Sequence, residues 1–361
     1  MNLVKRSLIL ILFSFISSGC LNLGPSTIDN NRNSYNSVIQ KTNDEQLLLN
    51  LVRLKYRDTP LFLEISNVTS QYRFSANANA NATFPNSGFN LFEFGSGAGL
   101  SESPVVTYSP LQGQKFIEQF LAKMQLKSIF LLYKSGWSIE RILRLCFEKM
   151  GPLDNAPNAS GPTPELAPNY KEFLQAARLF RELQKVNALE IYMEGEKSMA
   201  MLIFRVLEKA KDRPEVQDLN KLFNSPLHNL VFRLGFNRDN KENSKFHIET
   251  RSLLGIMYYL SHAVESTEEA LQNGYVTQTL DTNNKLFSWD TVTGDLLKVH
   301  SSSYTPDNAS TTIFYDGHWY YVKRSDLNSK STFSILGQIF YLQAGDYNRN
   351  SPLITIPIGS N

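Results

Sequence analysis

The chain has 361 residues, of which 42% are hydrophobic and 12% aromatic, enough apolar material for one large or two ordinary folded domains. Two of its 36 basic residues, Lys5 and Arg6, lie in an N-terminal segment that we expect to be removed, which leaves 34 basic against 34 acidic residues. A chain without basic excess is not a generic binder of nucleic acid or of anionic surfaces.

The first twenty residues have the organisation of a bacterial lipoprotein signal peptide. The two basic residues precede an uncharged apolar run, Ser7–Phe15, which is too short to span a membrane as a helix. Small residues then lead directly to Cys20 in a pattern that resembles a lipobox, although Ser17 stands where an aliphatic residue is commoner. We therefore predict removal of 1–19 and acylation of Cys20. The alternative is an ordinary signal peptide with a coincidental cysteine.

The residue after the predicted cleavage site indicates the membrane. An acidic residue at this place tends to retain lipoproteins on the inner membrane of enterobacteria-like species, and Leu21 is not acidic. Two or three acyl chains anchor a protein stably, whereas one gives only marginal binding. The predicted location is therefore the periplasmic face of the outer membrane, with the N-terminal lipid as the anchor.

The second cysteine, Cys146, is predicted to be a structural thiol. With Cys20 acylated, neither an intrachain disulfide nor a cysteine metal site can form. Apolar residues surround Cys146 at helical spacing, which is typical of a buried, unreactive thiol.

The N-terminal half is predicted to combine a tether, a helix and strands. Residues 20–41 are polar and rich in Asn and Ser, and we expect the lipidated cysteine and a flexible tether there. An N-terminal α+β region, 42–150, follows. Its first helix is predicted over Glu45–Arg57, which has a broad apolar face, and a strand over Leu61–Phe74.

Residues 75–103 alternate in a way that only strands would place on opposite faces. Alanines at the even positions from 76 to 82 alternate with Asn and Thr, and in a second run Phe92, Phe94, Ala98 and Leu100 share one parity. The two runs could pair as a long hairpin. Hairpins from the subunits of a ring can build a membrane pore, because each strand then needs only about 9–11 residues. A surface hairpin or loop is the alternative, since alanine is a poor lipid-facing residue and girdle aromatics are missing.

Helices and a long loop are predicted next. One helix is expected to start at Pro110, and another, capped by Ser138, to run up to Gly151. Residues 151–168 contain five of the fifteen prolines and are interpreted as a domain boundary or a long exposed loop. A C-terminal α+β region, 169–361, would follow this loop.

The C-terminal region is predicted to contain the clearest hairpin, in which Asp316 and Gly317 form a type I′ turn. Its predicted helices and strands are helices over Tyr170–Val186, after Pro214, over Ser252–Val264 and over Ser331–Ala344, and strands around Glu194–Lys197, over His228–Gly235, over Thr311–Tyr315, over His318–Lys323 and over Leu353–Ile358. Because helices and antiparallel hairpins occur in mixed order without an internal repeat, the predicted class is α+β.

No catalytic or metal constellation is evident in the sequence. None of the five histidines belongs to an HExxH motif or lies three or four residues from another, and GxSxG and phosphate-loop motifs are missing. We therefore predict neither an enzyme nor a cofactor nor a metal site.

Two groups of residues are candidates for contact with partners. Arg53, Arg57 and Asp58 lie near the end of the first predicted helix, where arginines also interact favourably with the helix dipole. In the last hairpin, His318, Trp319, Tyr320 and Tyr321 form an aromatic surface, which core packing would also explain.

Six segments carry a family resemblance: EQLLLNLVRLKYRDTPLFLE (45–64), TYSPLQGQKFIEQFL (107–121), YKSGWSIERILRL (133–145), RSLLGIMYYLSHAVE (251–265), YDGHWYYVKRSDLNSKSTFSILGQIF (315–340) and PLITIPIG (352–359). Together they resemble a widespread family of proteobacterial outer-membrane lipoproteins that carries no established activity, so no site can be transferred. The Asn-, Ser- and Lys-rich composition looks like that of Legionella or a relative. In such organisms a lipoprotein of this kind resembles a component of the outer-membrane cap of the Dot/Icm type IVB secretion apparatus.

The predicted function is that of a lipoprotein of the outer membrane that acts as a structural and docking component of an envelope assembly. Its expected partners are the membrane, through the lipid, and other envelope or secretion proteins, but not nucleic acid. Two alternatives remain open: a periplasmic enzyme acting on envelope polymers or lipids, and a ring-forming pore subunit that uses residues 75–100.

Overall fold

The chain folds into two compact units. The computed structural model describes residues 23–83, 91–162, 164–195, 200–225, 230–236 and 245–344. We call the unit that spans Leu61–Gln112 the arm, and the unit formed by the described residues before Leu61 and after Gln112 the body. The predicted signal peptide, the lipidation of Cys20 and the predicted strand Leu353–Ile358 lie outside the described residues.

Helices and mainly antiparallel sheets make up the two units, which confirms the predicted α+β class. The helices are α1 (Leu23–Lys55), α2 (Gln114–Leu121), α3 (Leu126–Lys134), α4 (Ile139–Cys146), α5 (Lys171–Lys185), α6 (Pro214–Leu222), α7 (Leu253–Ser261), α8 (Glu268–Gln272), α9 (Asp290–Thr293) and α10 (Leu327–Ala344). The strands are β1 (Leu63–Thr83), β2 (Leu91–Pro110), β3 (Phe147–Met150), β4 (Leu153–Asp154), β5 (Leu189–Glu194), β6 (Met201–Val206), β7 (Val231–Gly235), β8 (Lys245–Thr250), β9 (His300–Ser302), β10 (Ala309–Tyr315) and β11 (His318–Lys323). In the described part of the chain, no helix is both long and apolar enough to cross a membrane.

A six-stranded sheet with the order β4-β3-β8-β7-β6-β5 forms the centre of the body. Its pairs are antiparallel except for β7 and β8. Phe180 of α5 packs on the sheet, with its ring centroid 5.1 Å from that of Phe204 and 5.5 Å from that of Phe232. All three rings are fully buried, so this aromatic cluster contributes strongly to the core.

The sheet corrects the predicted domain boundary at 151–168. β3, which precedes this segment, pairs with β8, which lies about a hundred residues further along the chain, and both belong to the same sheet. The described parts of the predicted regions 42–150 and 169–361 that belong to the body therefore share one core, whereas residues 61–112 form the arm. Long-range strand pairing, which the local composition does not reveal, is the physical reason.

The first helix is longer than predicted. α1 begins at Leu23 rather than near Glu45, so the prediction of a flexible tether over 20–41 is wrong for residues 23–41. Leu48 and Leu51 are fully buried in the second half of the helix. Each residue that extends an existing helix gains one hydrogen bond, whereas the first turn must fix three residues for a single bond. The packed second half of α1 can therefore extend into the polar segment before it.

Two further helix predictions are corrected. The helix expected at Pro110 begins only at Gln114, because β2 continues through Pro110 in its pairing with β1. The helix that follows Ser138 ends at Cys146, and the next four residues form β3 because they pair with β8.

Local sequence explains other elements as predicted. The helix predicted over Ser252–Val264 is observed as α7, and Ser252 caps it by accepting a hydrogen bond from Gly255 N–H at 3.0 Å. β10 and β11 form the predicted hairpin, and Asp316 and Gly317 adopt the positive φ angles, 46° and 77°, that a type I′ turn requires. β9 adds a third strand at the edge of β11.

Candidate functional site

The arm is a hairpin of two long antiparallel strands. β1 and β2 form twenty residue pairs, from Leu63 opposite Pro110 to Thr83 opposite Leu91. At about 3.3 Å per residue, such strands extend for roughly 65 Å. The two runs in 75–103 therefore pair as the alternation predicts, and whether the hairpin inserts in a membrane or lies at the surface stays a prediction. Within the described residues, neither strand pairs with a third one.

The register of the arm separates apolar from polar residues. Residues directly opposite one another in an antiparallel pair share a face, and Ala76 lies opposite Ala98 while Ala80 lies opposite Phe94. Over 74–82 and 92–100, nine of the ten residues on this face are apolar, and Ser96 is the exception. The other face carries Ser, Asn and Thr on β1, and mainly Gly and Glu on β2.

In the body, the residues predicted at the end of the first helix terminate α1 and contact neighbouring elements. Arg57 has a φ of 64°, the left-handed conformation common just after a helix, and Asp58 N–H donates to the Arg53 carbonyl at 2.8 Å. The Arg57 guanidinium donates to Thr277 Oγ1 at 2.7 and 3.0 Å. These contacts assign the residues a structural role, and their predicted contact with a partner stays a prediction.

A tyrosine cluster joins the end of α1 to the β10–β11 hairpin. Tyr315 donates a hydrogen bond to the Asp58 carboxylate, and the hydroxyls of Tyr56 and Tyr320 lie 2.5 Å apart. The Asp58 carboxylate also favours the neutral hydroxyl of Tyr315, whose pKa is raised well above its usual range, mainly by desolvation and then by this hydrogen bond. The cluster brings together two residues that the sequence analysis named, Asp58 and Tyr320, and two tyrosines, Tyr56 and Tyr315, that it did not single out.

The predicted aromatic surface of the last hairpin divides between two faces. Tyr320 and Val322 are buried, and His318, which shares their face, is half-buried; Trp319 and Tyr321 are half-buried on the opposite face. The ring of Trp319 packs 5.1 Å from that of Phe314, which is 56% exposed. Core packing thus accounts for Tyr320, and docking through His318, Trp319 and Tyr321 stays a prediction.

A cavity of about 370 Å³ lies near the C-terminal end of α1. Lys55, the last residue of this helix, lines it together with His262, which follows α7, and Trp289, which precedes α9. The apolar part of the wall is formed by Leu271, Leu286, Phe287, Leu297 and Val299. The cavity volume lies at the lower end of the range typical of small-molecule sites.

Aromatic stacking fixes one wall of this cavity. The imidazole of His262 stacks on the indole of Trp289 with ring centroids 4.0 Å apart and an interplanar angle of 13°. Trp289 Nε1–H donates to Thr279 Oγ1 at 3.0 Å, and Thr279 in turn donates to the Pro164 carbonyl at 2.7 Å. The indole is therefore held in place from its polar edge.

Burial changes the protonation of two groups in the cavity. It lowers the pKa of Lys55 to about 8. It also lowers the pKa of His262 to about 3, and the positive charges of Lys55 and Arg251 contribute in the same direction. At neutral pH the cavity thus contains a neutral imidazole beside an ammonium group.

Behind this cavity, Arg251 is a fully buried cation that the protein itself satisfies. Its guanidinium donates to the carbonyls of Arg144, Leu145, Phe147, Asn155 and Ala156 and to Ser160 Oγ. It also lies 4.1 Å from the ring centroid of Tyr259. Arg251 therefore ties the end of α4, β3 and the residues that follow β4 to the start of α7.

Cys146 is buried, as predicted, and burial raises the pKa of its thiol to about 12. The described residues contain no group of three His, Cys, Asp or Glu side chains that could hold a metal ion.

Sequence reasoning missed the cavity because Lys55, His262 and Trp289 come from distant segments. The only signals were a lysine at a helix end and a histidine in an otherwise apolar stretch.

Comparison of the chain with protein-family models, with curated proteins and with solved structures gives no match.

Proposed function

We propose that the chain is a lipoprotein of the outer membrane that acts as a structural and docking component of an envelope assembly, such as a secretion-system cap. The anchor in this proposal is the acylated Cys20 inferred from the sequence. The observation that carries the proposal is the arm, a two-stranded sheet of twenty residue pairs.

The physical argument is that such an arm lacks the features that stabilise a sheet. An isolated two-stranded hairpin is marginally stable at best in water, and a third strand or a packed face is normally needed. In the described residues both outer edges of the arm offer unpaired backbone groups along their length. Exposed edges are templates for pairing with another chain. The arm therefore favours assembly with neighbouring molecules.

Removing the arm tests this proposal without disturbing the body. Leu111 N–H donates to the Phe62 carbonyl at 2.8 Å, so the two ends of the hairpin are adjacent. An Asn-Gly turn can therefore replace residues 63–110. We expect the tagged full chain to co-purify from native envelopes in a large assembly. The shortened chain should remain folded and in the membrane fraction but leave the assembly.

The anchor needs its own control. Cys20→Ala should abolish acyl labelling and release the protein from the outer membrane while leaving the arm intact. The proposal would be refuted if the shortened chain stayed in the same assembly, or if Cys20→Ala protein still fractionated with the outer membrane.

One observation favours a second candidate, the ring-forming pore subunit. The apolar band of the arm covers nine residues on each strand, close to the 9–11 residues of a membrane-spanning strand, and the opposite face is polar. In a ring of such hairpins, each open edge would pair with the arm of the next copy.

Adjacent positions on opposite faces provide a matched test of the pore. Ala80→Glu places a charge within the apolar band, whereas Asn79→Glu places the same charge on the polar face. A charge at the lipid-facing midplane costs several kcal/mol, whereas a charge in the lumen changes ion selectivity. We expect Ala80→Glu to abolish conductance in planar bilayers and Asn79→Glu to retain it with greater cation selectivity. Equal effects of the two variants, or no conductance of the wild type, would exclude the pore.

A further inference from the structure

Lys55 is an uncompensated cation in the cavity at the end of α1. Its side-chain ammonium makes no hydrogen bond or ion pair with the residues that the structure describes. Desolvation lowers its pKa to about 8, and no carboxylate is close enough to raise it again. Its position at the helix C-terminus supplies some favourable interaction with the helix dipole. The side chain of Lys55 is half-buried. A partly desolvated ammonium without an anionic partner is nevertheless costly.

The carboxylates that line the cavity have other partners. Asp290 pairs with Lys298 at 2.8 Å. Glu265 accepts a hydrogen bond from Ser301 N–H at 2.7 Å and lies 3.8 Å from His300 Nδ1. Of the two lysines that line the cavity, Lys55 is therefore the one whose ammonium no carboxylate of the wall pairs with.

His262 lines the cavity without adding a charge to it. Its imidazole is neutral at physiological pH, because burial and the nearby cations lower its pKa to about 3. Its Nε2 atom is buried, has no hydrogen-bond partner among the described residues and is not accessible from the cavity.

We infer that this cavity binds a small organic acid, whose carboxylate is held by the Lys55 ammonium and whose apolar part packs against Phe287, Leu297 and Val299. An anion supplies the counter-charge that the Lys55 ammonium lacks. A cavity of about 370 Å³ has room for roughly a dozen water-sized groups. A carboxylate on a single ring or a short chain fits this space.

Calorimetric titration of the full chain in detergent with 3-phenylpropionate tests the inference. The neutral amide of the same acid is the ligand control, because it has nearly the same shape without the charge. Lys55→Met removes the ammonium and keeps most of the stem. The double variant Asp290→Asn/Lys298→Met is the matched control in the same cavity, since it removes both members of an ion pair and leaves no unpaired charge. Hydrogen bonds to charged groups contribute about 1.5–3 kcal/mol. We therefore expect at least about tenfold weaker binding for Lys55→Met and for the amide, and unchanged binding for the double variant.

The pH dependence of the wild type keeps the inference testable if a variant does not fold. Lys55, His262, Glu265, Asp290, Lys298 and His300 are the titratable groups of the wall. A hydrogen bond to Asp290 raises the pKa of Lys298, and burial lowers that of His300, so neither changes charge between pH 7 and 9. Affinity should therefore fall about tenfold per pH unit above the pKa of Lys55.

Protection of Lys55 from acetylation, read by mass spectrometry, provides an independent measurement. Bound 3-phenylpropionate should slow the modification of Lys55 but not that of Lys298. The inference is overturned if millimolar acid gives neither heat nor protection, if the amide binds as tightly as the acid, or if the affinity is flat from pH 7 to 9.

Discussion

Two cations of the body have different surroundings: Arg251 is fully buried, whereas Lys55 is half-buried in the wall of a cavity. Around Arg251, five backbone carbonyls and one hydroxyl accept hydrogen bonds from a guanidinium that is fully buried. Around Lys55, the described residues provide no acceptor and no counter-charge, only a cavity. A cation that is satisfied in this way stabilises the fold, whereas an unsatisfied one destabilises it unless a ligand arrives.

Chemistry explains why each residue suits its region. The guanidinium is planar and always charged, and its five N–H donors diverge toward several fixed acceptors, as the carbonyls on both sides of β3 require. The ammonium of lysine is a compact charge on a flexible stem, and it loses its proton far more readily when buried. The guanidinium therefore suits a network of fixed acceptors in the core, and the ammonium suits contact with an anion that binds and dissociates.

The largest effect is expected at Arg251. Arg251→Met removes all of its donors and leaves the buried carbonyls without partners, which should lower the free energy of unfolding by about 3–5 kcal/mol. Urea denaturation followed by circular dichroism measures this loss. Arg205→Met is the matched control, because Arg205 forms an exposed ion pair with Glu190 and its loss should cost at most about 1 kcal/mol. Similar losses in both variants would mean that the Arg251 network contributes little.

The next effect is expected at Lys55 and has the opposite sign. The folded protein holds the Lys55 pKa near 8, below its usual value of 10.5, so at pH 7 burial of the charged form destabilises the fold by roughly 3 kcal/mol at most. Since the unfolded chain binds more protons between these two values, wild-type stability should rise as the pH increases from about 8 to 10.5. Lys55→Met should be more stable at pH 7 and should lose this rise.

Lys298→Met sharpens the same measurement. Lys298 is half-exposed and paired with Asp290, so its replacement should lower stability slightly and leave the alkaline rise in place. A loss of stability at pH 7 in Lys55→Met would mean that the Lys55 ammonium makes a stabilising interaction within the protein. The proposed difference between Lys55 and Arg251 would then be wrong.

Sequence patterns predicted the elements that local chemistry determines. The turn at Asp316 and Gly317, the capped helix after Ser252 and the alternation in residues 75–103 all depend on neighbouring residues. The pairing of strands depends on residues that are distant in the sequence. The register that puts the apolar parities of both strands of the arm on one face, and the pairing of β3 with β8, could not be derived from spacing alone.

The surroundings of Arg251 and Lys55 could not be predicted from the sequence for the same reason. Arg251 meets carbonyls from residues 144 to 156, and Lys55 meets a histidine and a tryptophan more than two hundred residues away. In the sequence, both residues are indistinguishable from ordinary surface cations. Their surroundings arise only when the six-stranded sheet and the ends of α1 and α7 are assembled.

The smallest effect concerns His262, which shares the cavity with Lys55. Because the folded protein lowers its pKa from 6.5 to about 3, the unfolded chain binds the extra proton first as the pH falls. Stability should therefore decrease below pH 6.5, by about 1.4 kcal/mol at one pH unit below that value, and His262→Phe should remove this decrease while keeping a ring against Trp289. Thermal unfolding between pH 5 and 7.5 measures the difference, and His318→Phe, outside the cavity, should retain the wild-type slope. An unchanged acid slope in His262→Phe would show that the imidazole does not carry the burial penalty, and the cavity would then contain a single unsatisfied group, Lys55.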